Sequence, residues 1–274
     1  MNPLRALVFG LALACATIAL AQNASAPIEI YQAKPVVTGT GETNRKIGFA
    51  LAFEDVLVKV SGDPRLIGDP RVAKLAEDAG SMVQEFRYRD RMEGTPIHDE
   101  QGSHDRPHDL TTIFAPEKID AVLASLGNKP WTEPRPTITL FLGVRNGDRS
   151  FVLSSDGERG IDMRDSLASA SLKVAIPVML PDSAALSSAG ITKETLPTAD
   201  PAVLDGLAKT AQGNHALVGS LVWSNNELGW IADWTISAKG QTYKWQIRGV
   251  SFDDAFRNAI RGSAQVLSGN GNPD

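Results

Sequence analysis

Apolar residues recur at helical spacing from Phe49 through Ala52, Phe53, Val56, Leu57 and Val60, and Ala50, Leu51 and Val58 fill in the remaining sides. This pattern predicts a helix over Asn44 to Val60 that is buried on most of its circumference and sits at the centre of a core. Ser61-Gly62-Asp63-Pro64 ends it. Asp69-Pro70 reads as the N-cap and first-turn proline of a second helix, with Val72, Leu75, Ala76, Ala79, Val83 and Phe86 as its inward stripe. A strand over Arg87 to Met92, a loop, a strand over Leu110 to Phe114 and a helix from Pro116 follow, the last carrying Ile119, Val122, Leu123 and Leu126 inward. With Ile28 to Val37 as a leading strand, the order β-α-α-β-β-α predicts a small α+β unit.

The pattern restarts after Gly127 to Pro136, where Pro130, Pro134 and Pro136 hold the chain extended. A strand over Thr137 to Val144 turns at Asn146-Gly147 into Phe151 to Leu153. A helix over Met163 to Val174, a strand over Ile176 to Leu180 and a helix capped by Asp200-Pro201 continue an α/β alternation. Two-residue turns at Asn225-Asn226 and Lys239-Gly240 would pair Leu221 with Trp230, Trp234 with Trp245 and Ile236 with Tyr243. That places Leu217, Leu221, Trp223, Trp230, Trp234, Ile236, Tyr243, Trp245 and Ile247 on one face of a three-stranded meander. Asp233, Thr235, Ser237, Lys244, Gln246 and Arg248 fall on the other. A last helix, capped by Ser251 with Asp254 three residues on, offers Phe252, Phe256, Ile260, Ser263 and Leu267 to cover the aromatic face.

The expected fold class is therefore α/β with an α+β character, in two domains: residues 22–127, a proline-rich linker 128–136, and residues 137–267. Residues 268–274 read as a disordered tail. Composition agrees with a globular chain: 274 residues, 42% hydrophobic and 22% charged, with a net charge of -5. That balance argues against a nucleic-acid partner.

Residues 1–21 carry Arg5, an apolar run from Ala6 to Leu20 and small residues at Ala19 and Ala21, the pattern of a cleaved signal peptide; Ala24-Ser25-Ala26 offers a second cleavage point. The apolar run is shorter than the roughly 20 residues that span a bilayer, and no transmembrane segment is expected in the mature chain. The single Cys, Cys15, lies inside this leader. It lacks the aliphatic residue three before it and the polar segment after it that lipidation would need. Cleavage leaves a mature chain with no thiol, disulfide or cysteine metal chemistry. The expected location is the periplasm.

Candidate chemistry is sparse. His98, His104 and His108 with Asp99 or Asp105 form a polar loop over residues 98–109 whose imidazoles and carboxylates could ligate zinc, nickel or copper. Pro107 and Gly102 oppose the helix that would align the His104/His108 pair, and a mobile hairpin tip is the competing reading. Arg87, Arg89 and Arg91 alternate along a strand and share one face, either as an anion-binding strip or as a solvated sheet face. Gly39 to Lys46 lacks the Gly-Lys-Ser/Thr of a phosphate loop, and no seryl or zinc-protease motif occurs. His215 stands alone at the start of a buried strand, as a structural residue. No cofactor is expected.

Arg45-Lys46-Ile47-Gly48-Phe49-Ala50-Leu51-Ala52-Phe53-Glu54-Asp55-Val56-Leu57-Val58-Lys59-Val60-Ser61-Gly62 and Val83-Gln84-Glu85-Phe86-Arg87-Tyr88 resemble the opening of the exported bacterial family called domain of unknown function 2066. So do the Trp131 to Pro136 link, Ile176 to Pro181, and Ala216 to Leu221 with the Trp-bearing strands and last helix. The likeness spans nearly all of the mature chain and rests on fold-forming segments. It implies an exported protein of a Gram-negative bacterium and assigns no catalytic residue. The loop 98–109 and the segment Asp182 to Ala199 depart from that pattern. The first half is also loosely similar to small domains of periplasmic and flagellar assembly proteins. Together these point to a non-catalytic periplasmic binding or assembly factor with an envelope protein as its partner. An enzyme or metal-binding protein using the loop 98–109 is the alternative, and a glycan or peptidoglycan binder using exposed aromatics a weaker one.

Overall fold

The computed structural model describes residues 29–94, 105–210 and 212–273. The leader 1–26 and the loop residues His98, Asp99 and His104 lie outside them. The architecture is mixed α/β: a small N-terminal unit, then a larger α/β region that ends in antiparallel strands and a helix.

The first unit is built around α1 (Glu42–Ser61), with Ala52, Phe53, Val56, Leu57 and Val60 fully buried. Gly62 ends it in the left-handed conformation, φ 70°, its N–H donating to the Val58 carbonyl. A glycine is favoured there because a Cβ penalises that conformation. Helix α2 (Pro70–Ala76) starts at the expected Asp69 cap, whose carboxylate accepts from Arg71 N–H, but it runs for only seven residues. The stripe expected to continue through Val83 and Phe86 breaks at Asp78 to Met82. There the Ser81 hydroxyl donates to the Asp78 carbonyl and carboxylate, a local alternative to helical bonding. The chain then enters β3 (Val83–Asp90), which leaves Phe86 42% exposed, edge-on to Phe49.

The expected leading strand is split into β1 (Gln32–Ala33) and β2 (Val36–Thr38) by Pro35, which has no N–H to donate. Both pair antiparallel with the same edge of β4 (Pro107–Phe114), and β3 pairs with its other edge. The inner face of this sheet, with Leu110 and Phe114, packs on α1; α3 (Pro116–Ser125) adds Ile119 and Leu123 to the same core.

The second sheet has the order β10-β9-β8-β5-β6. Strand β5 (Ile138–Asn146) runs parallel to β8 (His215–Ser224). It carries β6 (Arg149–Val152) and the short β7 (Val178–Met179) along its other edge. On one face α4 (Ile161–Val174) and α7 (Phe252–Leu267) enclose Leu140, Leu142, Leu217, Trp234 and Phe256. On the other, α5 (Ser183–Ser188) and α6 (Pro201–Thr210) cover Phe141, Val152, Ala216 and Val218 of β5, β6 and β8, and the strands β9 (Gly229–Ala238) and β10 (Gln241–Val250) keep an open polar face.

The Lys239-Gly240 turn pairs Trp234 with Trp245 and Ile236 with Tyr243, as expected. The other hairpin is shifted: Trp223, not Leu221, faces Trp230, and the turn is the four residues Asn225 to Leu228, with Leu228 at φ 49°. A shift of two preserves the side-chain alternation. The aromatic residues therefore still share the face that α7 covers, and Trp230, Trp234 and Trp245 are buried. Ser251 caps α7, its hydroxyl accepting from Asp254 N–H and donating to that carboxylate.

The two cores are joined by a docked seam. Trp131 is buried and donates its N–H to Val60 O, while Arg135 stacks on the Trp131 ring at 3.8 Å and donates to Lys59 O. Residues 268–273 also return to the first unit: the Asn270 amide donates to Ser61 O, and Gln265 donates to Asn272 O. A tail read as disordered from its composition is thus held by amide hydrogen bonds to backbone acceptors, one of which, Ser61 O, lies 209 positions from Asn270 in sequence.

Candidate functional site

Register fixes what lies on the outer face of the first sheet. Asp109 sits between Val36 and Arg89, and Thr111 faces Arg87. Alternation adds Lys34 on the first edge and Arg91 beyond Arg89 on the other. All three arginines expected to share a face do share it, and Lys34, which the sequence reading missed, joins them from the link between β1 and β2. No periodicity within one segment could have found it, because β1 and β3 meet only through β4.

The face is organised by one carboxylate. Asp109 is 7% exposed and accepts from Arg89 at 3.1 and 2.8 Å, with Lys34 at 3.3 Å and Arg91 at 3.6 Å. Burial acts to raise its pKa, but the hydrogen bonds from Arg89 and Lys34 and their charges hold it below the usual carboxylate range. A buried carboxylate without such partners would be strongly disfavoured. The Arg87 side chain makes no hydrogen bond or ion pair with any described residue. The patch therefore carries four exposed cations around one buried anion, with the exposed Glu85 beyond Arg87 on the same face and Val36, an apolar side chain 47% exposed, on its β2 edge. In a chain of net charge -5 this is a segregation of charge. Such a face can attract and orient an acidic surface, with the exposed Val36 side chain removed from water on contact.

The described members of the other expected cluster lie apart from this patch. His108 is on β4 beside Val37 and Asp90, its Nδ1 2.8 Å from Arg106 O and its ring edge-on to Tyr88. Asp105 packs its carboxyl against the Cα of Gly39. Among the described residues no group of three or more His, Asp or Glu is arranged to hold a metal ion. His215 holds Ser237 O through Nδ1 at 3.1 Å, a structural contact between β8 and β9.

The molecule is thus a mixed α/β protein whose N-terminal unit bears a basic sheet face. Residues 24–132, the region of that unit, match a family described as a domain of unknown function, DUF8605. This corrects the resemblance to domain of unknown function 2066: Arg45 to Gly62 and Val83 to Tyr88, which carried it, fall within a match to a different family. Both segments are a buried helix and a sheet strand, and apolar periodicity of that kind is dictated by packing, so unrelated families share it. No curated protein and no solved structure matches the chain. No helix among the described residues is long and apolar enough to cross a membrane.

Proposed function

We propose that this protein is a non-catalytic binding factor of the bacterial envelope, exported to the periplasm, that docks an acidic surface of a partner protein on the outer face of its first sheet. The observation that carries the reading is the set Lys34, Arg87, Arg89 and Arg91 around the buried Asp109, with Val36 exposed beside it on the edge strand. Export is supported by the pattern of residues 1–26. Lys34, Arg89 and Arg91, held by the shared Asp109 carboxylate, lose less freedom on binding than free side chains would, which favours recognition over mere solubility.

The test is crosslinking in whole cells from a photoreactive residue at Val36, followed by mass spectrometry of the adducts. Reproducible capture of an envelope protein with an acidic surface supports the reading. Absence of any adduct, or adducts spread over abundant proteins without preference, refutes it.

A further inference from the structure

Helix α7 turns two different faces inward. Ala255, Phe256, Ala259 and Ile260 enter the core of the second sheet, while Asp254, Arg257, Asn258, Arg261 and Gln265 line up at helical spacing on another side. That polar stripe is partly screened from solvent, with Arg257, Asn258 and Arg261 half-buried and Asp254 exposed at its end. It faces Pro64 to Ile67 of the first unit across a cleft of about 500 Å³, within the size range of small-molecule sites.

The charges lining the cleft are unequally satisfied. Arg65 is paired with Asp63 at 2.8 Å, and Arg257 with Asp254 at 2.5 Å. The Arg261 side chain makes no hydrogen bond or ion pair with any described residue, although it is half-buried. Burial pulls its pKa below the ordinary value, helped by the charge of Arg257 and opposed by the charges of Asp55, Glu54 and Asp254. A half-buried guanidinium with its donors unspent is costly unless something else accepts from it. Beside it, Ile67, Ile247 and Val250 supply an apolar wall. No feature of the basic sheet face takes part, so this site is independent of the one proposed above.

We propose that this cleft binds an amphiphilic anion: a phosphate or carboxylate head held by Arg261, with Arg257 and Arg65 flanking, and a short apolar body laid against Ile67, Ile247 and Val250. The guanidinium fork matches either oxyanion in a bidentate contact.

A reporter is built in. The Trp245 indole N–H donates to Asn258 Oδ1 at 3.0 Å, at the cleft wall. Its resonance in a ¹H–¹⁵N spectrum of the full mature chain, assigned with Trp245→Phe, is followed on titration below micelle formation with octyl phosphate, octanoate, inorganic phosphate and octyl glucoside. Octyl phosphate or octanoate shifts it in a saturable way, inorganic phosphate binds more weakly, and the neutral glucoside does not bind. The tighter of the two amphiphiles identifies the head group. Arg261→Gln weakens binding about tenfold or more while the remaining indole resonances stay in place. If Arg261→Gln disturbs those resonances, Arg257→Gln replaces it, with a loss of roughly threefold. The proposal is overturned if neither anion shifts Trp245, if the glucoside binds equally well, or if the folded arginine variant binds like the wild type.

Discussion

Adding one methyl group at Gly219 tests the packing of the second sheet. Gly219 lies opposite Trp234 across β8 and β9. A Cβ there would stand 2.3 and 2.5 Å from two ring carbons of Trp234 and 3.0 Å from a Leu142 methyl. Carbon contacts settle at about 3.5–4.0 Å, so the ring must retreat by more than about 1 Å by that measure. It has nowhere to go, since Trp234 is 1% exposed. Overpacking of this kind costs about 1–3 kcal/mol, and the lower chain entropy of Ala in the unfolded state returns roughly 0.5 kcal/mol. Gly219→Ala should therefore lose about 2 kcal/mol, seen in urea unfolding followed by fluorescence and as a fall in Tm of roughly 4–8 °C. Trp234→Leu alone leaves a cavity and costs about 3 kcal/mol. In the double variant the new methyl meets no ring, so the two losses should fall short of additive by about 1–2 kcal/mol. A Gly219→Ala protein within about 0.5 kcal/mol of wild type, or strictly additive losses, would refute the register and the buried position of Trp234.

Gly206 lies exposed within α6, and a Cβ added there would meet open space, so Gly206→Ala should stabilise by about 0.5–1 kcal/mol in the same unfolding assay. Burial and the hydrogen bond to Asp120 push the Tyr31 pKa up to about 12, against about 10 unfolded. The protonated phenol is therefore favoured by folding: its contribution is complete below pH about 10 and is lost as pH rises toward 12, a slope that Tyr31→Phe should abolish. Tyrosinate absorbance should show one of the three tyrosines ionising late. At Asp63 burial acts upward, but hydrogen bonds from Arg65 and Asn128 hold the carboxyl below its ordinary range. A depressed carboxylate stabilises above its unfolded pKa of about 3.9 and loses that contribution as pH falls through the lower folded value. Asp63→Asn should lower neutral stability by about 1–3 kcal/mol and flatten the acid limb of the stability profile.

Features set by local spacing were legible in the sequence. The central helix declared itself through apolar residues on most sides, the last helix through Ser251 and Asp254, and the aromatic face through strict alternation. Alternation also explains why the Asn225 turn could be misplaced by two residues without moving Trp230 to the wrong face. What was illegible depends on partners distant in sequence. Helix α2 stops early because Ser81 turns back on Asp78 and β4 captures Val83 to Asp90 as a strand. The terminal segment is fixed by Ser61, and Lys34 joins the arginines only because Asp109 lies between them. The cleft at Arg261 needs a helix from one end of the chain to face a turn from the other, which no motif search could anticipate. The family resemblance misled for the opposite reason: it rested on the most legible segments, whose pattern is set by burial and carries little identity.

The most direct measurement is the yield of specific crosslinks from a photoreactive side chain at Val36 in cells expressing either the wild-type protein or Arg87→Glu/Arg91→Glu, with folding of each checked by its urea midpoint. These substitutions leave the Arg89 pair with Asp109 intact. If the basic face docks an acidic partner, the reversed charges should cut the yield at least about tenfold, since like charges across an interface cost several kcal/mol. An unchanged yield and partner from the folded variant would contradict it.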